Sequence, residues 1–210
     1  MSASIISIDQ DNSKCGFLDI IIGPMFSGKT NYLLKELTVF SIMGAKVLYI
    51  NHSIDNRSDM MFSSHNPLIN DGIKETENTS LIKTDNLSEV YDICSNFMVI
   101  AIDEAQFFNG LKDFALDLVE KKGKRVIVAG LSGDFNREAF GEIFSLISYC
   151  DRITKLSSFC KICAYDKKIK EAHFSHKKQS LKSSIISIGG KEEYIPLCRE
   201  CYIFFLKFNS

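Results

Sequence analysis

No run of about 18 apolar residues occurs, so nothing in the chain reads as a membrane-spanning helix. Net charge is almost missing as well. The 25 Lys and Arg against 26 Asp and Glu leave a formal −1, so there is no bulk attraction to nucleic acid or an anionic membrane. A secretory signal is also lacking: Met1 to Lys14 mixes Ser, Asp, Asn and Gln with a few Ile, and reads as a polar extension. No internal repeat or low-complexity tract is found. The four histidines (His52, His65, His173, His176) have no ligand spacing and read as surface or loop residues. What remains is ordinary for a folded domain. Apolar residues are 45% and charged ones 24%, which excludes a disordered or fibrous chain. At 210 residues there is room for one core, or one core and a small appendage.

Four short runs, Phe17–Ile22, Lys46–Ile50, Met98–Ile102 and Arg125–Ala129, are rich in Val, Ile and Leu and bounded by Gly, Asp or Asn. Strands buried on both faces of a parallel sheet read this way. Helical periods lie between them. Leu33, Leu37 and Phe40 recur at i, i+4 and i+7, with Gly44 at the expected C-terminal cap. Leu111, Phe114, Leu118 and Val119 make a second stripe ending at Lys121, Lys122 and Gly123. Strand–helix alternation predicts an α/β fold with a mostly parallel sheet flanked by helices. Residues 51–85 are polar, with a weak hairpin signal at Asn70-Asp71-Gly72. The expected layout is a polar extension (1–15), an α/β nucleotide-binding domain (16–155), a small module (156–202) and a tail (203–210).

Gly23-Pro24-Met25-Phe26-Ser27-Gly28-Lys29-Thr30 fits G-x-x-x-x-G-K-[ST] between a strand and a helix. Glycines let the backbone N–H groups close on a phosphate, and the helix presents its positive end to it. Lys29 would reach the β- and γ-phosphates, and the Thr30 hydroxyl would ligate Mg²⁺. A chance glycine-rich turn is the alternative. Met98 to Ile102 delivers Asp103 and Glu104 to the strand's C-terminal end, the edge at which open α/β sheets bind ligands. Asp103 would hold Mg²⁺, and Glu104 would act as general base or position the nucleophile. Without a neighbouring phosphate loop, the pair would read as a solvated cap on the next helix.

Seven cysteines include two C-x-x-C pairs, Cys160/Cys163 and Cys198/Cys201, separated by 34 residues. Four thiolates in this pattern suit a closed, structural Zn²⁺ site stapling the base of a loop. A redox dithiol is the other reading. In a chain with no secretory signal, such pairs imply a reducing compartment, cytosolic or nuclear, of which the cytoplasm is expected. Within the loop, Ile185-Ile186-Ser187-Ile188-Gly189-Gly190 followed by Tyr194 offers open main-chain groups, or simply a β-hairpin. Phe107, Phe108, Phe135 and Phe140 cluster in sequence near the acidic strand, where ordinary core packing competes with pocket lining.

Taken together, the glycine-rich loop, Ile102-Asp103-Glu104-Ala105-Gln106-Phe107-Phe108, both cysteine pairs, and Ile188-Gly189-Gly190 with Tyr194 resemble the cellular-type (type II) thymidine kinases. The resemblance runs from about Gly16 to Tyr202. It implies transfer of the ATP γ-phosphate, with Mg²⁺, to the 5′-hydroxyl of thymidine, a step of nucleotide salvage for DNA synthesis. It also implies a RecA-like P-loop fold with a zinc-anchored "lasso" loop, a homotetramer, and inhibition by dTTP. By the resemblance Glu104 is the base, and Asp55 and Arg57 match an Asp-x-Arg element near the phosphates. Met25, Phe107, Leu131, Phe135 and Phe140 match the nucleoside pocket. Ser175, Ile185, Ser187, Gly189 and Tyr194 match the loop positions that hold thymidine. This chain departs from the family at Ser132, where Asp is common, at Ala139 for Pro, and at Ser175-His176-Lys177 for Thr-basic-Arg. Lys177 keeps the charge without the guanidinium fork.

Two other classes compete. One is a nucleic-acid-stimulated P-loop ATPase with a zinc module. The length cannot hold two motor domains, and balanced charge leaves no basic face to track phosphates. The other is a nucleotide-gated regulatory protein, in which Glu104 would be structural.

Overall fold

Six strands form one sheet: β1 (Phe17–Gly23), β2 (Val47–His52), β3 (Thr79–Thr84), β4 (Val99–Asp103), β5 (Arg125–Leu131) and β6 (Arg152–Lys155). Their order is β3-β2-β4-β5-β1-β6 and every pairing is parallel. The structure is a computed structural model, and it describes residues 15–54, 77–177 and 194–208.

The four apolar runs are the four inner strands, as the sequence implies. Both edge strands were absent from that reading: β3 is Thr-Ser-Leu-Ile-Lys-Thr and β6 is Arg-Ile-Thr-Lys. An edge strand faces solvent along one side and needs no continuous apolar run, so hydropathy does not single it out.

The sheet is buried on both faces because successive side chains alternate. From β1, Leu18, Ile20 and Ile22 join Ile100, Ile102, Val126 and Val128 in one core cluster. Ile21, Ala101, Ile127 and Ala129 belong to the cluster on the opposite face. There they pack against Leu33, Leu34, Leu37 and Phe40 of α1 (Lys29–Ile42). Gly44 follows α1 with φ 85°, the left-handed cap its position predicts. The first cluster is covered by α2 (Leu111–Leu116) and the wider π-type turn Asp117–Lys121, which bury Leu111, Phe114, Leu118 and Val119. Buried Asp19 on β1 pairs with Arg125 and Arg152, and Arg152 reaches on to Glu36 of α1.

A small third cluster gathers Cys160, Ala172, Leu197, Cys198 and Tyr202. It is built from two antiparallel pairs, β7 (Ser158–Phe159) with β8 (Glu171–Ala172) and β9 (Phe174–Lys177) with β10 (Tyr194–Leu197). Helices α3 (Lys161–Tyr165) and α4 (Arg199–Phe208) complete it. Helix α4 runs on through residues that the sequence reading set apart as a tail. Among the described residues, no helix is long and apolar enough to cross a membrane.

Candidate phosphoryl-transfer site

The glycine-rich loop leaves β1 at Gly23 and enters α1 at Lys29. A Cβ on Gly23 would meet Ser27 Oγ at 2.5 Å and the Leu156 carbonyl at 2.9 Å, so only glycine lets the chain turn here. Phe26 and Gly28 both take left-handed conformations, with φ 63° and 80°. Left-handed residues interspersed in such a turn swing successive N–H groups to one side, which makes an anion-binding concavity. No acidic residue lies in the first turn of α1, so the helix brings no negative charge of its own to its positive end. Lys29 Nζ donates to the Pro24 carbonyl at 3.0 Å, folded back over the loop. The Ser27 hydroxyl donates to the same carbonyl at 2.8 Å.

Strand β4 brings its carboxylates to the same sheet edge, with β5 lying between β4 and β1. Thr30 Oγ1 donates to Asp103 Oδ2 at 2.8 Å. The Tyr49 hydroxyl donates to that oxygen at 2.7 Å, and the Glu104 N–H donates to Oδ1 at 2.9 Å. Asp103 is 2% exposed. Burial, and then the Glu104 charge, push its carboxyl up to about 6, against the hydrogen bonds from Tyr49, Thr30 and the Glu104 N–H. A hydroxyl and a carboxylate oxygen, side by side at a helix N-terminus, form the hard-oxygen donor pair that Mg²⁺ takes beside phosphates. The residues present therefore fit that ion. Glu104 is half-buried and held at φ 50°, a left-handed conformation uncommon for a residue with a side chain. Its Oε2 accepts from Gln106 Nε2 at 2.6 Å.

Phe107 and Phe140 meet edge to face, with centroids 5.4 Å apart. The Met25 N–H donates to Ser175 Oγ at 2.9 Å, joining the phosphate loop to β9. The Phe135 carbonyl accepts from the Tyr202 hydroxyl at 2.6 Å, and Lys177 Nζ lies 5.7 Å from the Phe135 ring. Leu131 is half-buried at the end of β5, and its N–H donates to Gln106 Oε1. Tyr194 is buried opposite Lys177 in the β9–β10 pair. Phe108 instead belongs to the core, at 1% exposure. Asp55, Arg57, Ile185, Ser187 and Gly189 lie outside the described residues, as does the Asn70-Asp71-Gly72 hairpin signal.

The thiols of Cys160, Cys163, Cys198 and Cys201 lie within 4.8 Å of one another. Cys163 Sγ is 3.9 Å from Cys198 Sγ and 3.7 Å from Cys201 Sγ. A tetrahedron with metal–sulfur legs of about 2.3 Å has edges of about 3.8 Å. The cluster is therefore compatible with a structural zinc ion.

With this geometry in view, the comparisons with known proteins are specific. The thymidine kinase family model matches residues 16–202. The chain belongs to the thymidine kinase family. It is 41% identical over 187 residues to the thymidine kinase of Amsacta moorei entomopoxvirus, covering 88% of this chain and 97% of that protein. It is 43% identical over 188 residues to the thymidine kinase of Choristoneura fumiferana entomopoxvirus, covering 88% and 95%. Against the thymidine kinase of vaccinia virus (strain Western Reserve) identity is 35% over 188 residues, covering 90% and 97%.

Several residues around the candidate site carry no local sequence signal. Tyr49 sits inside an apolar strand run, and its phenol is the one clue that it serves a polar partner. Gln106 stands out in sequence only as part of the Ile102–Phe108 motif. His52 was read as a surface or loop residue, but it is buried at the end of β2, 4.6 Å from the Phe108 ring and 5.6 Å from Phe107. Its Nδ1 accepts from the Ile54 N–H. Burial lowers its pKa, against the charges of Asp85 and Glu104. Ser158 contributes a hydrogen bond to the Phe26 carbonyl at 3.0 Å, a second tie between the cysteine module and the phosphate loop.

Proposed function

We propose that this member of the thymidine kinase family transfers the ATP γ-phosphate to the 5′-hydroxyl of thymidine, with deoxyuridine as a second acceptor, giving the nucleoside monophosphate and ADP. The observation that carries this reading is the meeting of the phosphate loop, Asp103 and Glu104 at one sheet edge in a chain of this family. The loop N–H groups and Lys29 bind the β- and γ-phosphates and stabilise charge on the transferring group. Thr30 and Asp103 would hold Mg²⁺, which when bound supplies further neutralisation of that charge. Glu104 accepts the proton of the 5′-hydroxyl as its oxygen bonds to the γ-phosphorus and the bond from phosphorus to the ADP oxygen breaks. Most of the acceleration comes from positioning the two substrates in line.

The nucleoside is assigned to Met25, Phe107, Leu131, Phe135, Phe140, Ser175 and Tyr194. By family resemblance Ile185, Ser187 and Gly189 join them, while Asp55 and Arg57 serve the phosphate side. Zinc is assigned to the four cysteines, where it fixes the ends of the loop that covers the nucleoside. The family resemblance further supports a homotetramer, feedback by dTTP and a cytoplasmic location.

Glu104→Gln tests the chemistry. Turnover should fall about 10²- to 10⁴-fold while ATP and thymidine still bind with nearly unchanged affinity. Wild-type turnover in that variant would remove Glu104 as the base. A nucleoside panel tests the substrate. ATP turnover stimulated by oligonucleotide but not by thymidine would replace this reading with a nucleic-acid-dependent ATPase.

A further inference from the structure

Gln106 ties the Glu104 carboxylate to the end of β5. It lies on the short 3₁₀ turn Ala105–Phe107 and is 3% exposed. Its carboxamide makes two hydrogen bonds of opposite sense. Nε2 donates to Glu104 Oε2 at 2.6 Å, and Oε1 accepts from the Leu131 N–H at 3.1 Å. A carboxylate only accepts and a peptide N–H only donates, so the amide has one orientation that satisfies both. A flipped amide would break both bonds at once.

The surroundings leave this side chain little room to move. A Cβ on Gly130 would stand 2.6 Å from Gln106 Oε1, and one on Gly141 would stand 2.3 Å from the Gln106 carbonyl oxygen. Glycine at both positions lets β5 and the segment after it close directly onto Gln106. That segment carries Leu131 at one end and Phe140 at the other. It is held a second time where the Glu142 carboxylate accepts from the Gly110 and Lys112 N–H groups.

We infer that Gln106 is the positioning residue of the reaction: its amide sets the direction of the Glu104 carboxylate and fixes it in register with the 131–140 segment that borders the nucleoside. This inference rests on the reading of Glu104 as the base. Glu104 is a flexible side chain on a left-handed residue, and its backbone alone does not decide where the carboxylate points. A misplacement of about 1 Å at a reacting group costs about 10²-fold in rate. The buried amide removes that freedom before substrate arrives.

Two substitutions in the full chain separate positioning from general support. Gln106→Leu removes both hydrogen bonds. Gln106→Glu keeps an acceptor for the Leu131 N–H but sets a like charge against Glu104, and it decides the matter if the leucine variant does not fold. Each should lower kcat about tenfold or more, with KM for ATP and thymidine changed less than about threefold. The deciding arm repeats both changes in a Glu104→Gln background. A residue that acts only through Glu104 costs nothing further there, whereas a structural role costs as much again.

Equal losses in both backgrounds, KM rising in step with falling kcat, or unchanged kcat in both variants would each overturn the inference. The two ideas fail differently. Wild-type turnover in Glu104→Gln alone sinks the base. An inactive Glu104→Gln beside fully active Gln106 variants sinks only the role of Gln106.

Discussion

Stripping the metal from the cysteine cluster should unfold one part of this protein and leave the rest standing. Among the described residues, the cluster around the four thiols fully buries two large side chains, Leu197 and Tyr202, with Ala172 and two of the cysteines, and half-buries Ile162, Phe174, Ile195 and Phe205 against them. Full burial of a large apolar side chain stabilises by about 1.5–3 kcal/mol. Zinc on a cysteine site in small peptides contributes about 10–16 kcal/mol. An ion on these thiols would thus outweigh the fully buried apolar side chains of the module. The six-stranded sheet has two large clusters of its own and does not depend on the thiols. The assay is chelation with metal analysis, followed by hydrogen exchange read by segment. Protection should collapse in residues 158–177 and 194–208 and persist in β1, β2, β4 and β5. Three contacts at the site would be lost with the module: Ser158 to Phe26, Ser175 to Met25, and Tyr202 to Phe135. Phosphorylation should therefore stop while the sheet remains folded. Unchanged exchange in demonstrably zinc-free protein would refute the reasoning, as would loss of protection throughout the sheet in the same step.

Gly141→Ala and Gly44→Ala form a matched pair. Both glycines have positive φ, at 66° and 85°, but an added Cβ at Gly44 meets nothing within 4 Å while at Gly141 it strikes the Gln106 backbone. Gly44→Ala should cost about 1–2 kcal/mol in denaturant unfolding, and Gly141→Ala about 1–3 kcal/mol more; equal values would show that close packing on Gln106 is not what requires the glycine. His52 supplies a pH test. Its folded pKa lies below the ordinary 6.5, so its neutral form contributes stability that is fully present above that value. That stability is lost as pH falls through the folded pKa, when the unfolded chain takes up the proton first. His52→Asn should reduce the fall in stability between pH 7 and 5 by less than one proton's worth of slope, measured by denaturant titration at each pH. An identical slope in the two proteins would refute a buried, neutral His52.

The parts of the molecule legible in sequence are those whose meaning lies within a few residues. A strand, two glycines, a lysine and a threonine in one stretch describe the phosphate loop, because backbone conformation there is a local matter. Asp103 and Glu104 follow an apolar run that can only be an inner strand. Each cysteine pair is short-range, and four thiols of one kind suggest their ion. The residues that escaped notice are defined by distant partners. Tyr49 meets Asp103 across 54 positions and Met25 meets Ser175 across 150. Asp19 looks like an anomaly in an apolar strand until Arg152, 133 positions on, closes over it. β3 and β6 lack an apolar run because each lies at a sheet edge: β3 exposes Lys83 and half-buries Ser80 and Ile82, and β6 exposes Arg152, Ile153 and Lys155.

Spacing and composition by themselves determined the parallel α/β architecture, the phosphate loop, the acidic strand end and the metal-binding cysteines, because local backbone preference and side-chain chemistry are enough to specify each of them. Only the tertiary structure decided how these parts meet. It brought Thr30 and Asp103 within 2.8 Å, turned Gln106 between Glu104 and Leu131, buried His52 against Phe108, and set the cysteine module on the phosphate loop. Contacts of that kind depend on packing between strands far apart in the chain, and no local pattern encodes them.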